Sequence, residues 1–296
     1  MTTLAPFEIH RATSVAEASV LIEELGEEAV LYSGGTELLL LMKLGFASYA
    51  HLVDVKPIPE LHDLEVRDGW LRIGAAVTHR RLERAPEVRA GWQDLAEMER
   101  HVANLRVRST GSLGGNLAFA DPHSDPATFL LAADARVVVG RAEERRTLRL
   151  DQFVLGPYAT ALAPGELLCA IEVPVPVQGS AMAHLRFAVH ERPAATVSAW
   201  VRVVDGAIRD ARVSVGSVGI VPVVVPDAAE ALSGRPVDAL EATTLAALGQ
   251  EGAAAAEPVS DSNGSEDYKR ALVSVLIQRA IREAGRRAIA REEGAA

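Results

Sequence analysis

Thr110-Gly111-Ser112-Leu113-Gly114-Gly115-Asn116 is the densest run of chemistry-bearing residues in the chain, and Asp121-Pro122-His123-Ser124-Asp125 follows within a few positions. Glycine removes the Cβ and permits φ > 0, so successive N–H groups can turn into one concavity. Thr110, Ser112 and Asn116 add side-chain donors. Such a concavity suits a phosphate. A shorter version, Ser33-Gly34-Gly35-Thr36-Glu37, lies upstream. Two such turns in one chain point to one ligand with two phosphates, held from both sides.

Each motif has a plainer reading. Taken alone, Ser33–Glu37 reads first as a tight strand-to-helix turn, because short glycine motifs match by chance often. Thr110–Asn116 carries more donors in one arc and favours a ligand. Neither segment has the spacing of a P-loop or of a Rossmann fingerprint, so a nucleotide site would need another architecture. Asp121, His123 and Asp125 alternate as metal ligands can. Pro122 and Pro126 hold the loop, however, and no fourth ligand lies nearby, so no metal is expected. His123, Ser124 and Asp125 are adjacent and cannot relay protons as a triad. Cys169, in Leu167-Leu168-Cys169-Ala170-Ile171, reads as an inert core thiol. His10, His51, His62, His79, His101, His184 and His190 are scattered. Arg186 and Arg192 read as surface ion pairs.

The elements that must position these residues are legible in outline. Ser14 and Glu17 form a capping box, followed by apolar residues at helical spacing up to Gly26. Ala29–Tyr32 reads as a buried strand running into the first glycine turn, and Thr36–Lys43 as the helix after it. An anion is favoured at such a strand-to-helix junction. His51–Val55, Ala135–Gly140 and Leu167–Val173 read as strands, and Trp70–Ile73 as half of a hairpin turning at Asp68-Gly69. Leu95, Met98, Val102 and Leu105 predict one amphipathic helix leading into the second motif. Pro174–Ser180 reads as a linker. Beyond it lie strands at Val197–Val204 and Ala211–Val218, helices at Asp227–Leu232 and Ala239–Glu257, and a long helix from Tyr268 whose charged tail frays from Gly285. The expected units are 1–176, with lobes of about 1–57 and 58–176, and 177–296.

Composition bounds the function. The 296 residues carry 40 acidic and 30 basic side chains, a net charge of −10, which argues against a nucleic-acid binder. One cysteine cannot hold an iron–sulfur cluster or a disulfide framework. The opening residues lack a leader pattern, and no apolar run nears the roughly 18 residues of a membrane span. A cytoplasmic protein without a membrane span is expected.

Together, Ser33–Leu38, Met42-Lys43, Arg108–Leu117, Ala120–Asp125 and Gly165–Leu168 running to Val173-Pro174 resemble the FAD-binding medium subunits of molybdenum hydroxylases, the carbon monoxide dehydrogenase and xanthine dehydrogenase group. The resemblance spans Phe7 to about Ala284. It implies an α+β fold: a two-lobed FAD-binding domain of the p-cresol methylhydroxylase type and a C-terminal α+β domain. By motif match, Leu31, Tyr32, Ser33, Gly34, Gly35, Thr36, Glu37 and Leu38 would run beside the FAD pyrophosphate. Thr110, Ser112, Leu113, Gly114, Gly115 and Asn116 would hold it from the other lobe. Asp125 would bind ribityl or neighbouring hydroxyls, and Val102 and Leu168 would contact flavin or adenine. Arg186 stands where relatives commonly have a Lys that reaches the flavin ring. Ser109 and Ser112 replace the Asn and Thr often found in the family, and both keep the loop polar.

The resemblance implies electron transfer, with FAD as the cofactor and no catalytic acid or base in this chain. The partners would be a small iron–sulfur subunit and a large molybdenum-cofactor subunit, with an external electron acceptor. Substrate recognition would then lie on another chain. Two alternatives remain: a stand-alone flavin oxidase or reductase of the same fold, and a structural subunit without FAD.

Overall fold

In the computed structural model, which describes residues 4–189 and 191–294, the chain forms three main sheets in sequence order. The first is parallel. It comprises β1 (Glu8–Arg11), α1 (Val15–Leu25), β2 (Ala29–Tyr32), α2 (Leu38–Leu44) and β3 (His51–Asp54), with strand order β1-β3-β2. Ser14 caps α1 by accepting from the Glu17 N–H at 3.1 Å, while the Glu17 carboxylate accepts from the Thr13 N–H and hydroxyl. Each strand is only four residues long, so the crossover helices must supply most of the buried apolar surface. Val15 and Ala18 of α1 do this, joining the core beneath β3.

The second sheet is antiparallel, with order β4-β5-β10-β6-β7. It begins with the hairpin β4 (Leu64–Arg67) and β5 (Trp70–Gly74), whose turn residues Asp68 and Gly69 both have positive φ, at 51° and 81°. Six helices follow: α3 (His79–Arg84), α4 (Pro86–Gly91), α5 (Gln93–Glu99), α6 (Leu105–Thr110), α7 (Leu113–Phe119) and α8 (Asp125–Ala132). Then come β6 (Arg136–Arg141), β7 (Glu144–Arg149), α9 (Leu150–Phe153), the short pair β8 (Val154–Gly156) and β9 (Ala159–Thr160), and β10 (Leu167–Pro174). β10 lies at the sheet centre, which explains its apolar run from Leu167 to Ile171. Cys169 is 1 % exposed, and burial pushes its thiol up to about 11, so it is the inert core residue expected.

The third sheet is antiparallel, β11 (Ser180–Phe187), β12 (Ala195–Val204), β13 (Ala207–Gly216) and β14 (Val223–Val224). It is followed by α10 (Ala228–Leu232), α11 (Ala242–Ala255) and α12 (Glu266–Glu293). A second core gathers Val197, Val201, Val213 and Val215 of this sheet with Val273, Ile277, Ile281 and Ala284 of α12. Among the described residues, no helix is long and apolar enough to cross a membrane.

Three sequence expectations are corrected. The single helix through Leu95, Met98, Val102 and Leu105 is two. Ala103 adopts φ 40°, and Asn104 starts α6 by accepting from the Arg106 and Val107 N–H groups, so Val102 sits in the break. The second glycine motif is a helix start and not a left-handed loop: Gly111, Gly114 and Gly115 have no positive φ, and Ser112 caps α7. The C-terminal helix does not fray at Gly285. It continues to Glu293, because Gly285 and Ala288 face the second core and are buried. Of the scattered histidines, His190 lies outside the described residues.

Candidate cofactor site

The two glycine turns meet. A Cβ on Gly34 would lie 2.4 Å from the Thr110 carbonyl oxygen and 2.6 Å from the Gly111 Cα. A Cβ on Gly114 would lie 2.4–2.6 Å from the Cβ, Cα and O of Ala75. These glycines allow backbone to touch backbone, and only Gly35, at φ 67°, uses glycine's left-handed freedom. Ser33 and Ser112 hydroxyls join the turns at 3.1 Å, and the Ser112 oxygen also accepts from the Gly115 N–H at 3.1 Å. Among the described residues, no hydrogen bond uses the N–H of Gly34, Gly35, Thr36 or Glu37 as donor. That leaves a row of free donors where the sheets meet.

A cavity of about 520 Å³ opens along this junction. From the first turn it is lined by Leu31, Ser33, Gly34, Gly35, Thr36, Glu37 and Leu38. From the segment between β5 and the end of β10 it takes Val102, Ser112, Gly114, Gly115, Asn116, Asp125 and Leu168. Four predicted residues do not line it. Leu113 is fully buried in the core, and the Thr110 hydroxyl donates to the Arg106 carbonyl. The Tyr32 ring lies under the Lys56 ammonium, 3.8 Å from its centroid. Arg186 donates to the His101 and Glu191 carbonyls and pairs with Asp125 at 3.4 Å. Asp125 reaches the cavity wall, yet its carboxylate is already engaged: His184 Nε2 stands 3.1 Å from it.

Tertiary structure adds residues that spacing did not reveal. Arg192, from the segment between β11 and β12, bridges Glu37 at 3.1 Å and Asp121 at 3.0 Å and so spans both sides of the cavity. Burial alone would raise the Asp121 pKa, but the His123 ring and N–H and the Arg192 charge hold it below the ordinary carboxylate value. His123 also lines the cavity and reaches Asp261 at 3.2 Å and Asn263 at 3.3 Å. Asp121, His123 and Asp125 therefore all serve the seam to the C-terminal unit, the first two through Arg192 and Asp261 and the third through His184 and Arg186 of β11. His79 lines the floor. From sequence, His79 reads as a scattered histidine and Arg192 as a surface ion pair, since their partners Glu99 and Glu37 lie 20 and 155 positions away. Among the described residues, the one cluster with metal-ligand proximity is Glu8, His10 and His51, on β1 and β3.

The chain matches two family models: the FAD binding domain in molybdopterin dehydrogenase over residues 5–176, and the CO dehydrogenase flavoprotein C-terminal domain over 183–284. It is 32% identical over 282 residues to the carbon monoxide dehydrogenase medium chain of Hydrogenophaga pseudoflava, covering 94% of this chain and 96% of the relative. It is 32% identical over 262 residues to the nicotine 6-hydroxylase medium subunit of Paenarthrobacter nicotinovorans, covering 88% and 91%. Among solved structures it superposes on carbon monoxide dehydrogenase from Hydrogenophaga pseudoflava with a TM-score of 0.91 at 31% identity, covering 97% of this chain and 99% of the other. On quinoline 2-oxidoreductase from Pseudomonas putida 86 the TM-score is 0.90 at 26% identity, covering 97% and 99%. With both halves matched in order and the glycine turns meeting at one cavity, the chain belongs to the family of FAD-binding medium subunits of molybdenum-containing dehydrogenases.

Proposed function

We propose that this chain is the electron-transfer subunit of a molybdenum hydroxylase. It would receive electrons from iron–sulfur clusters of a small subunit, beyond which a large subunit carries the molybdenum cofactor, and pass them to an external acceptor. The observation that carries this reading is the junction itself: two glycine turns border one cavity, and the first leaves the adjacent amides of Gly34 through Glu37 without a partner among the described residues. The donor set fits the diphosphate of FAD, because anions are held well by clustered backbone N–H groups.

When bound, FAD would supply the redox chemistry. The chain's own residues bind, orient and exclude water. Ser33 through Glu37 would grip the diphosphate from one side, and Ser112, Gly114, Gly115 and Asn116 from the other. Leu31, Leu38, Val102 and Leu168 would form apolar walls. Asp125 would act mainly as the anchor that holds the His184 and Arg186 strand against the cavity. The proposed units are 1–176, made of lobes 1–57 and 58–176, and 177–296, with the cytoplasm as the proposed compartment.

Co-expression with neighbouring reading frames tests the proposal. The expected result is a stable complex with a Cys-rich small chain and a large molybdenum chain, carrying flavin absorbance that bleaches when the complex's substrate is added. A purified chain that lacks flavin, or one that turns over a substrate alone, would overturn it.

A further inference from the structure

His79 and Glu99 form a buried pair at the floor of the cavity that the proposed function leaves unused. They are 2 % and 0 % exposed, and His79 Nδ1 lies 2.7 Å from Glu99 Oε2. Glu99 Oε1 has no partner among the described residues. A carboxylate half-satisfied in a dry interior is costly, and a positive neighbour offsets that cost. The pair is aimed. The Nδ1 contact orients the ring and leaves Nε2 as its free nitrogen. A Cβ built on Gly111 would stand 3.5 Å from His79 Cδ2, the ring atom bonded to Nε2, and 3.4 Å from Thr36 Oγ1. The ring edge and the Thr36 hydroxyl therefore both pack against Gly111, close to where Gly34 abuts Thr110, and His79, Thr36 and Gly111 all line the same cavity. The backbone ties the ring to this place, since the His79 N–H donates to the Gly111 carbonyl at 3.2 Å.

We propose that His79, positioned by Glu99, binds the diphosphate of the dinucleotide through Nε2, at the point where the two glycine turns meet. This rests on the FAD reading of the cavity. The ring then lies between the Glu99 carboxyl group at Nδ1 and a phosphate oxygen at Nε2. Glu99 thus acts as a positioning residue that never touches the ligand, and a buried carboxylate on α5 serves a site built from other elements.

The test uses the full-length chain stripped of its flavin, with FAD, ADP and riboflavin titrated into wild type, His79→Ala, His79→Gln and Glu99→Gln. A hydrogen bond to a charged group corresponds to roughly a 10- to 100-fold change in affinity. His79→Ala is expected to weaken FAD and ADP by a common factor in that range and to leave riboflavin, which has no phosphate, unchanged. His79→Gln, whose amide nitrogen extends toward the Nε2 position, should recover part of the loss, and Glu99→Gln should weaken FAD and ADP less than His79→Ala does. Equal weakening of all three ligands, or none in His79→Ala, would overturn the proposal. If wild type bound riboflavin but neither FAD nor ADP, a diphosphate site would be absent and the proposal would fall. If wild type bound ADP without FAD, the FAD reading would fail, and the ADP series would still decide His79.

Discussion

Gly34 has no space for a side chain, because its Cβ would penetrate the Thr110–Gly111 backbone. Backbone cannot swing aside as a flexible side chain can, so Gly34→Ala must push the two turns apart. We expect a loss of about 1–3 kcal/mol in thermal or urea unfolding. The purified variant should also carry much less flavin, read as the ratio of flavin to protein absorbance. Cys169 belongs to the same scale. With its thiol raised to about 11 and its side chain buried on β10, it should resist a colorimetric thiol reagent in the folded chain and react at once in denaturant. Fast labelling of the native protein would contradict that placement.

At the scale of elements, one hydroxyl serves two purposes. Ser112 starts α7 by accepting from Gly115, and it also touches the Ser33 hydroxyl across the junction. Ser112→Ala should cost about 1 kcal/mol through the lost cap, measured by urea denaturation, and flavin should dissociate faster from the variant. A change confined to stability would assign Ser112 to capping alone. Asn104 shows why the helix before the motif could not be read correctly from spacing. Leu95, Met98, Val102 and Leu105 keep helical periodicity, but the Asn104 side chain takes the Arg106 and Val107 N–H groups and starts a new helix. Local side-chain competition overrode the apolar pattern. The strand positions were easier, because β-branched runs between turn residues, such as Arg136–Arg141 and Ala195–Val204, leave few alternatives.

Across the whole molecule, the C-terminal unit is bound to the second sheet's helices through charge. Asp94 of α5 receives Arg291 at 2.7 Å and Arg287 at 3.4 Å, both from α12, and accepts from the Met182 N–H at 2.8 Å. Asp94→Asn removes the charge from a mostly buried carboxylate with two arginines facing it. It should lower stability by about 1–3 kcal/mol and separate the unfolding of the two cores in calorimetry. The same seam predicts acid behaviour. Hydrogen bonds from Arg286 hold Glu283 down to about 2 against burial, and Arg287 adds to the effect. A carboxyl lowered in the folded state stabilises fully above its ordinary value of 4.5. That contribution fades as the pH falls from there toward 2. Glu283→Gln should flatten the acid limb of the stability curve in this window and leave the neutral region less stable than wild type.

The sequence by itself determined the punctuation of the fold and the ligand chemistry. Glycines, caps and β-branched runs act over a few residues, and the order of the two glycine motifs carries the family resemblance. It also placed the C-terminal helix, though its end at Gly285 was misjudged, because only packing against Val237 and the second core shows why a charged tail stays helical. Tertiary structure decided which residues share the cavity. Arg192 meets Glu37 across 155 positions and His79 meets Glu99 across 20, distances over which no local pattern exists. It also decided what the glycines do. Spacing suggested left-handed turns, whereas Gly34 and Gly114 are needed because two backbones pass within contact of each other, and that crowding exists only once the sheets have come together.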